Sequence, residues 1–105
     1  MTMDPAQPVF GRTLTVGYAG GVDPRTGDLI QARAPSGFTY DCNLKPGVSG
    51  ECSVAMPSRE SSGAWTLAWS WTGNDSRSNP CGSNLTFVAA TGGNRPECDL
   101  PFTMP

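Results

Sequence analysis

Glycine and proline recur so closely along this chain that they leave no room for an amphipathic helix. Thirteen Gly and ten Pro are spread over 105 residues, and both residue types disfavour a helix interior. No window between them places apolar residues at the 3.6-residue spacing of a helix face. Most segments instead alternate apolar and polar residues, which predicts an all-β protein.

Six or seven segments show the two-residue alternation of a half-buried strand. In the segment 12–18, for example, Leu14, Val16 and Tyr18 share one face. Residues 29–34 and 98–104 are predicted strands too, and the inward residues predicted for the other segments are Phe38, Tyr40, Cys42 and Leu44; Cys52, Val54 and Met56; Trp65, Leu67, Trp69 and Trp71; and Leu85, Phe87 and Ala89.

Turns rich in Gly, Pro and Asp separate the predicted strands at fairly regular intervals, one of them covering 92–97. Short strands at this spacing predict a small antiparallel β-sandwich, immunoglobulin-like or jelly-roll-like. A chain of this length forms one domain. We therefore expect a single domain over 1–105, with the Pro-containing ends 1–11 and 101–105 as extended terminal arms.

The four cysteines are Cys42, Cys52, Cys81 and Cys98. Their wide spacing and the absence of His argue against zinc and favour disulfides, with buried free thiols as the alternative. A Pro-Gly turn lies between the first two, and a turn between the last two, so hairpin pairing favours 42–52 and 81–98. A cross-sheet bridge of the immunoglobulin kind stays open. Disulfides place the protein outside the cytosol, extracellularly or on a virion surface.

Charge and residue content exclude several function classes. Seven basic side chains and a net charge of −2 cannot form the basic surface that nucleic acid requires. No apolar run approaches the ~18 residues of a membrane span. Without His, common catalytic triads and zinc sites cannot be built, and Lys45 stands beside a turn proline. We therefore expect no enzyme activity and no cofactor.

Two minor features have simpler explanations. Asp23 and Asp28 bracket a turn that could contribute to a calcium loop, but the EF-hand spacing is absent and a plain turn accounts for the residues. Asn74 and Asn84 begin N-x-S/T triplets, whose glycosylation the sequence does not decide.

All three tryptophans lie within seven positions, in the stretch GAWTLAWSW at 63–71. Three large rings on one inward face would crowd a core about 10 Å thick. The stripe can still form the inward face of a central strand, but its end beside a long polar loop, Trp71 and with it Trp69, supplies the candidate ligand or partner contacts. The stretch resembles the Trp-bearing strand of some bacterial cellulose-binding modules, over about nine residues, and the resemblance implies polysaccharide as a ligand.

Two functions follow from these observations. The first is a non-catalytic structural or assembly subunit of a virion surface or extracellular fibre. Its partners are copies of itself or other structural proteins, gripped through the termini and edge strands. The alternative is a carbohydrate-binding module that uses an exposed Trp.

Overall fold

The computed structural model describes residues 1–18, 29–44, 50–75, 90–94 and 98–105, and within them only the backbone of 71–75 and 90–94. These residues form two antiparallel sheets and contain no α-helix. The nine strands are β1 (Thr2–Asp4), β2 (Thr13–Gly17), β3 (Leu29–Arg33), β4 (Thr39–Asp41), β5 (Asn43–Leu44), β6 (Glu51–Ala55), β7 (Gly63–Asp75), β8 (Ala90–Asn94) and β9 (Leu100–Met104). The all-β prediction is confirmed.

The first sheet, sheet A, has the strand order β1-β2-β6-β5, and the second, sheet B, is built on the long strand β7. One edge of β7 pairs with β3, whose other edge pairs with β4. Because Thr66 and Leu67 pair with both β3 and β9, β9 lies on the edge opposite β3. Ser70 likewise pairs with both β3 and β8. Strands β8 and β9 therefore lie end to end along the same edge of β7.

The buried side chains of the two sheets form one hydrophobic cluster. Sheet A contributes alternate residues of β2 and β6, and sheet B contributes alternate residues of β3 and β7, as their two-residue periods predict. The members with the least exposure are Leu14, Val16, Ile30, Ala32, Cys52, Val54, Trp65, Leu67, Trp69 and Met104. The predicted inward residues of β2, β6 and β7 are buried wherever their side chains are described, whereas Tyr18, just after β2, is half-buried and Ala68, on the other face of β7, is buried as well.

The segment 38–44, predicted as one strand, is two strands in different sheets. Strand β4 pairs with β3 in sheet B, whereas β5 pairs with β6 in sheet A. Cys42 lies between them, and its backbone N–H still donates to the oxygen of Ile30 in sheet B. The chain thus changes sheets at Cys42. Among the described residues, this split and the strand β1 each add one strand to those expected from the sequence.

Phe38 is the clearest departure from the predicted inward set, because 68% of its surface is exposed. It stands one residue before β4, in the β3–β4 hairpin, where Ala34 N–H donates to its oxygen at 2.9 Å. Alternation decides burial only where an opposing sheet covers the strand, and the inward prediction for Phe38 is wrong at this hairpin end.

The predictions near 84–97 have mixed outcomes. The strand with Leu85, Phe87 and Ala89 lies outside the described residues. Gly92 and Gly93, predicted as a turn, belong instead to β8, where Gly93 lies opposite Trp71. A glycine pair does not stop a strand whose backbone groups are held by a neighbouring ladder.

Both terminal segments, expected as extended arms, contribute a strand to a sheet. Strand β1 pairs with β2, and β9 pairs with the first half of β7. Pro8 and Met104 are fully buried. The chain ends are thus held by contacts within the chain.

Candidate functional site

An aromatic cluster surrounds Trp65 at one end of the core. The ring of Tyr40 stacks on that of Trp65 at a centroid distance of 5.9 Å, Phe102 lies tilted at 5.9 Å, and Phe10 meets it edge-on at 6.1 Å. These three rings are half-buried, whereas Trp65 itself is 1% exposed. The indole N–H of Trp65 donates to the backbone oxygen of Ser61 at 2.8 Å, so its polar atom is also satisfied within the chain.

Glu60 lies beside this cluster, in the loop 56–62 between β6 and β7. One of its carboxylate oxygens accepts a hydrogen bond from the Tyr40 hydroxyl, and the other accepts one from the Ser61 backbone N–H at 2.8 Å. The Ser36 hydroxyl also favours the ionised carboxylate. The hydrogen bond from Tyr40, followed by those from Ser61 and Ser36, lowers the pKa of Glu60 from 4.5 to about 2. The same bond and burial raise the pKa of Tyr40.

This arrangement limits what Glu60 can do chemically. A carboxylate has about four acceptor positions, and the Tyr40 hydroxyl and the Ser61 backbone N–H already donate to that of Glu60, one to each oxygen. A general acid at neutral pH needs a raised pKa, whereas that of Glu60 is lowered. The carboxylate therefore anchors the loop 56–62 to β4.

The exposed ring of Phe38 lies two residues before Tyr40 in the chain. Its backbone N–H donates to the Ser36 hydroxyl at 3.4 Å, within the β3–β4 hairpin. Among the described residues, Val9 is the other large hydrophobic side chain with substantial exposure, at 47%. Phe38 is thus the most exposed aromatic ring among the described side chains.

The two tryptophans singled out as contacts have different outcomes. Trp69 is 0% exposed, and its ring meets that of Tyr18 edge-on at 6.5 Å. A ring without exposed surface cannot stack on a ligand, so the contact predicted for Trp69 does not fit this fold. The side chain of Trp71 lies outside the described part of the chain, and the contact predicted for it stays a prediction.

The predicted Cys42–Cys52 disulfide is present, with the two Cα atoms 5.5 Å apart. Its position differs from that in a simple hairpin, because Cys52 lies opposite Leu44 in the β5–β6 ladder. Cys42 lies just before β5, where the chain changes sheets. The disulfide therefore links this change of sheet to β6, an interior strand of sheet A.

The second predicted pairing is only partly visible. Cys98 is 4% exposed and is disulfide-bonded. Cys81 lies outside the described residues, as do Asp23, Asp28 and Asn84, so the 81–98 pairing stays a prediction.

The Tyr40–Glu60 pair was missed by sequence reasoning. The two residues are 20 positions apart, and no motif connects them. Glu60 resembles the other turn carboxylates in the sequence, and only its loop's path over β4 brings it to Tyr40.

No protein-family model, curated protein or solved structure matches this chain. Within the described ranges, no three His, Cys, Asp or Glu side chains are grouped so that they could hold a metal ion. The same residues include no helix with the length and apolar character to cross a membrane.

Proposed function

We propose that the protein is a non-catalytic structural or assembly subunit of a virion surface or extracellular fibre, associating through its terminal segments and edge strands. The observation that carries this proposal is that both chain ends are sheet strands, with β1 the end strand of sheet A. The unpaired N–H and C=O groups of such a strand can pair with a neighbouring chain.

The two terminal strands differ in how well they would accept a neighbour. In β9, Pro101 has no N–H to donate, and the oxygen of Thr103 accepts a hydrogen bond from the Gln7 side chain. These features protect that edge, because prolines and occupied carbonyls interrupt a new ladder. Strand β1, with Met3 between the exposed residues Thr2 and Asp4, is the edge that supports the proposal.

The chemistry of the described residues favours a non-catalytic role. The chain has no His, and the carboxyl group whose pKa is most displaced, that of Glu60, is held ionised by its own neighbours. The Cys42–Cys52 bridge is in keeping with an oxidising compartment such as the extracellular space. We further propose that the two sheets pack as a β-sandwich with immunoglobulin-like or jelly-roll-like connections.

The test is the molar mass in solution, measured by light scattering over a hundredfold range of protein concentration. We expect oligomers, and we expect Asp4→Lys to lower the oligomer fraction because lysine on an edge strand opposes pairing. Asp41→Lys is the matched control, since Asp41 is exposed on another edge strand, β4. A monomer throughout, both alone and with extracts of the virion or fibre, would contradict the proposal.

A second candidate, carbohydrate binding, is favoured by the exposure of Phe38. An exposed aromatic ring can stack on the apolar face of a sugar, and the hydroxyl of Ser36 lies in the same hairpin. Pull-down with insoluble polysaccharides tests it, using Phe38→Ala and Trp71→Ala beside the unchanged protein. Retention that either variant abolishes would support this function, and no retention of the unchanged protein would exclude it for those polysaccharides.

A further inference from the structure

The N-terminal segment 1–8 occupies a site that spans both sheets. Its strand β1 pairs with β2 in sheet A, and Met1 and Met3 pack against the core. Further along, Pro8 is fully buried, and the Gln7 side chain donates to the oxygen of Thr103 in sheet B at 2.9 Å. The segment thus fills a receptor surface formed by the rest of the chain.

This receptor surface is shaped for the segment it holds. Gly17 lies opposite Thr2 in the β1–β2 ladder, and a Cβ atom at Gly17 would lie 3.9 Å from the Cβ of Thr2. The space left by the missing side chain is taken by the threonine. Every copy of the chain has the same segment and the same receptor surface. The segment of another copy would therefore make the same contacts.

A turn connects the segment to the body of the protein. Arg12 N–H donates to the oxygen of Val9 at 3.2 Å, and Gly11 N–H donates to the oxygen of Pro57 at 2.9 Å. Gly11 has a φ of 77°, a conformation that glycine adopts without strain. Opening this one turn would direct residues 1–8 away from their own chain while leaving the β2–β6 ladder intact.

We propose that, in the assembled protein, residues 1–8 of one copy occupy this receptor surface on a second copy. This inference rests on the proposed assembly function and names its partner, a second copy of the chain, and its contact. Exchange of an identical element preserves every contact of the segment, which makes it a low-cost route to association. The chain's own segment competes for the same receptor surface, and its effective concentration there is on the order of millimolar. Exchange is therefore favoured where copies are crowded, as in an assembly.

A disulfide trap tests the exchange. In the double variant Thr2→Cys with Gly17→Cys, the two cysteine Cβ atoms would lie 3.9 Å apart, a separation that a disulfide tolerates. Gly17 lies in a regular strand, so its backbone accepts a cysteine. The matched control is Thr15→Cys with Ser53→Cys, a β2–β6 pair inside the body that exchange leaves untouched. Each variant is oxidised at high concentration and then separated under denaturing, non-reducing conditions, while its native mass is measured in parallel.

The outcomes separate the exchange from the assembly function. Covalent dimers or larger species from the first variant, with single chains from the control, would support the exchange. Covalent single chains from a sample whose native mass is oligomeric would overturn the exchange and leave the assembly function standing. A native mass of one chain at every concentration would overturn both. When the first variant is oxidised at high dilution, the segment is locked in its own chain, and this sample should no longer assemble. If it still reaches the native mass of the unchanged protein, the exchange is overturned.

Discussion

The side-chain amide of Gln7 donates a hydrogen bond to the backbone oxygen of Thr103, 2.9 Å away and 96 positions along the chain. This bond joins the segment that follows β1 in sheet A to β9 in sheet B. On the other side of the molecule, the chain itself crosses between the sheets at Cys42, which is bonded to Cys52. The Gln7 bond and the crossing at Cys42 both connect the two sheets outside their shared core.

Gln7→Ala should loosen the N-terminal segment with little effect on the rest of the fold. The bond is exposed, so we expect its loss to cost about 0.5–1.5 kcal/mol at most, while amide hydrogen exchange at Thr2–Asp4 becomes faster. Gln31→Ala is the control, because the exposed amide of Gln31 bonds to Asp41 within sheet B. Equal rates of amide hydrogen exchange at β1 in both variants would show that Gln7 does not hold the segment.

Replacing both Cys42 and Cys52 by Ala should lower the free energy of unfolding by about 2–3 kcal/mol. The bridge closes a short loop, with a sequence separation of 10, and its main effect is to restrict the unfolded chain. Chemical denaturation measures the loss. Peptide mapping without reduction should recover the 42–52 pair and, as we predict from the sequence, a pair of Cys81 with Cys98. Four free thiols would contradict both the pairing and the extracellular placement.

The three tryptophans should differ in their contribution to stability. Trp65 and Trp69 are at most 1% exposed, so Trp65→Ala and Trp69→Ala should each cost about 3–5 kcal/mol by leaving a cavity. We predict a smaller loss for Trp71→Ala, together with weaker assembly or ligand binding. Denaturation of the three variants, with native mass and polysaccharide retention, checks this. If Trp71→Ala is as destabilising as the others and association is unchanged, Trp71 belongs to the core.

Stability should fall in acid because the Tyr40–Glu60 bond is lost. The pKa of Glu60 is lowered from 4.5 to about 2 in the folded protein, so its contribution is present above pH 4.5 and disappears as the pH falls towards 2. The raised pKa of Tyr40 has the opposite sign, since the contribution of a protonated tyrosine is lost as the pH rises above 10.

Denaturation midpoints of the unchanged protein and of Glu60→Gln, taken from pH 2 to pH 6, measure this effect. Tyr40→Phe is a second variant, which keeps the ring stacked on Trp65 and removes only the hydroxyl. Both variants should show a shallower decline between pH 4.5 and pH 2 than the unchanged protein. Identical pH profiles would mean that this pair does not contribute to acid sensitivity.

The sequence by itself determined the β class, the inward faces of β2, β6 and β7, and the first disulfide. Alternation at Leu14 and Val16 places both side chains on one face of the strand, and that face is buried because it packs into the core shared with the other sheet. Cys42 and Cys52 are close because a short connection leaves them little freedom to separate.

Only the tertiary structure decided which sheet each strand joins and which loop covers which ring. The segment around Cys42 reads as one strand because its alternation continues through the point where it changes partners. The exposure of Phe38 depends on where the opposing sheet ends, and the bond between Tyr40 and Glu60 depends on the path of a loop across another strand. These relations join segments that are distant in sequence and are set by the packing of the whole core. A local two-residue period therefore does not predict them.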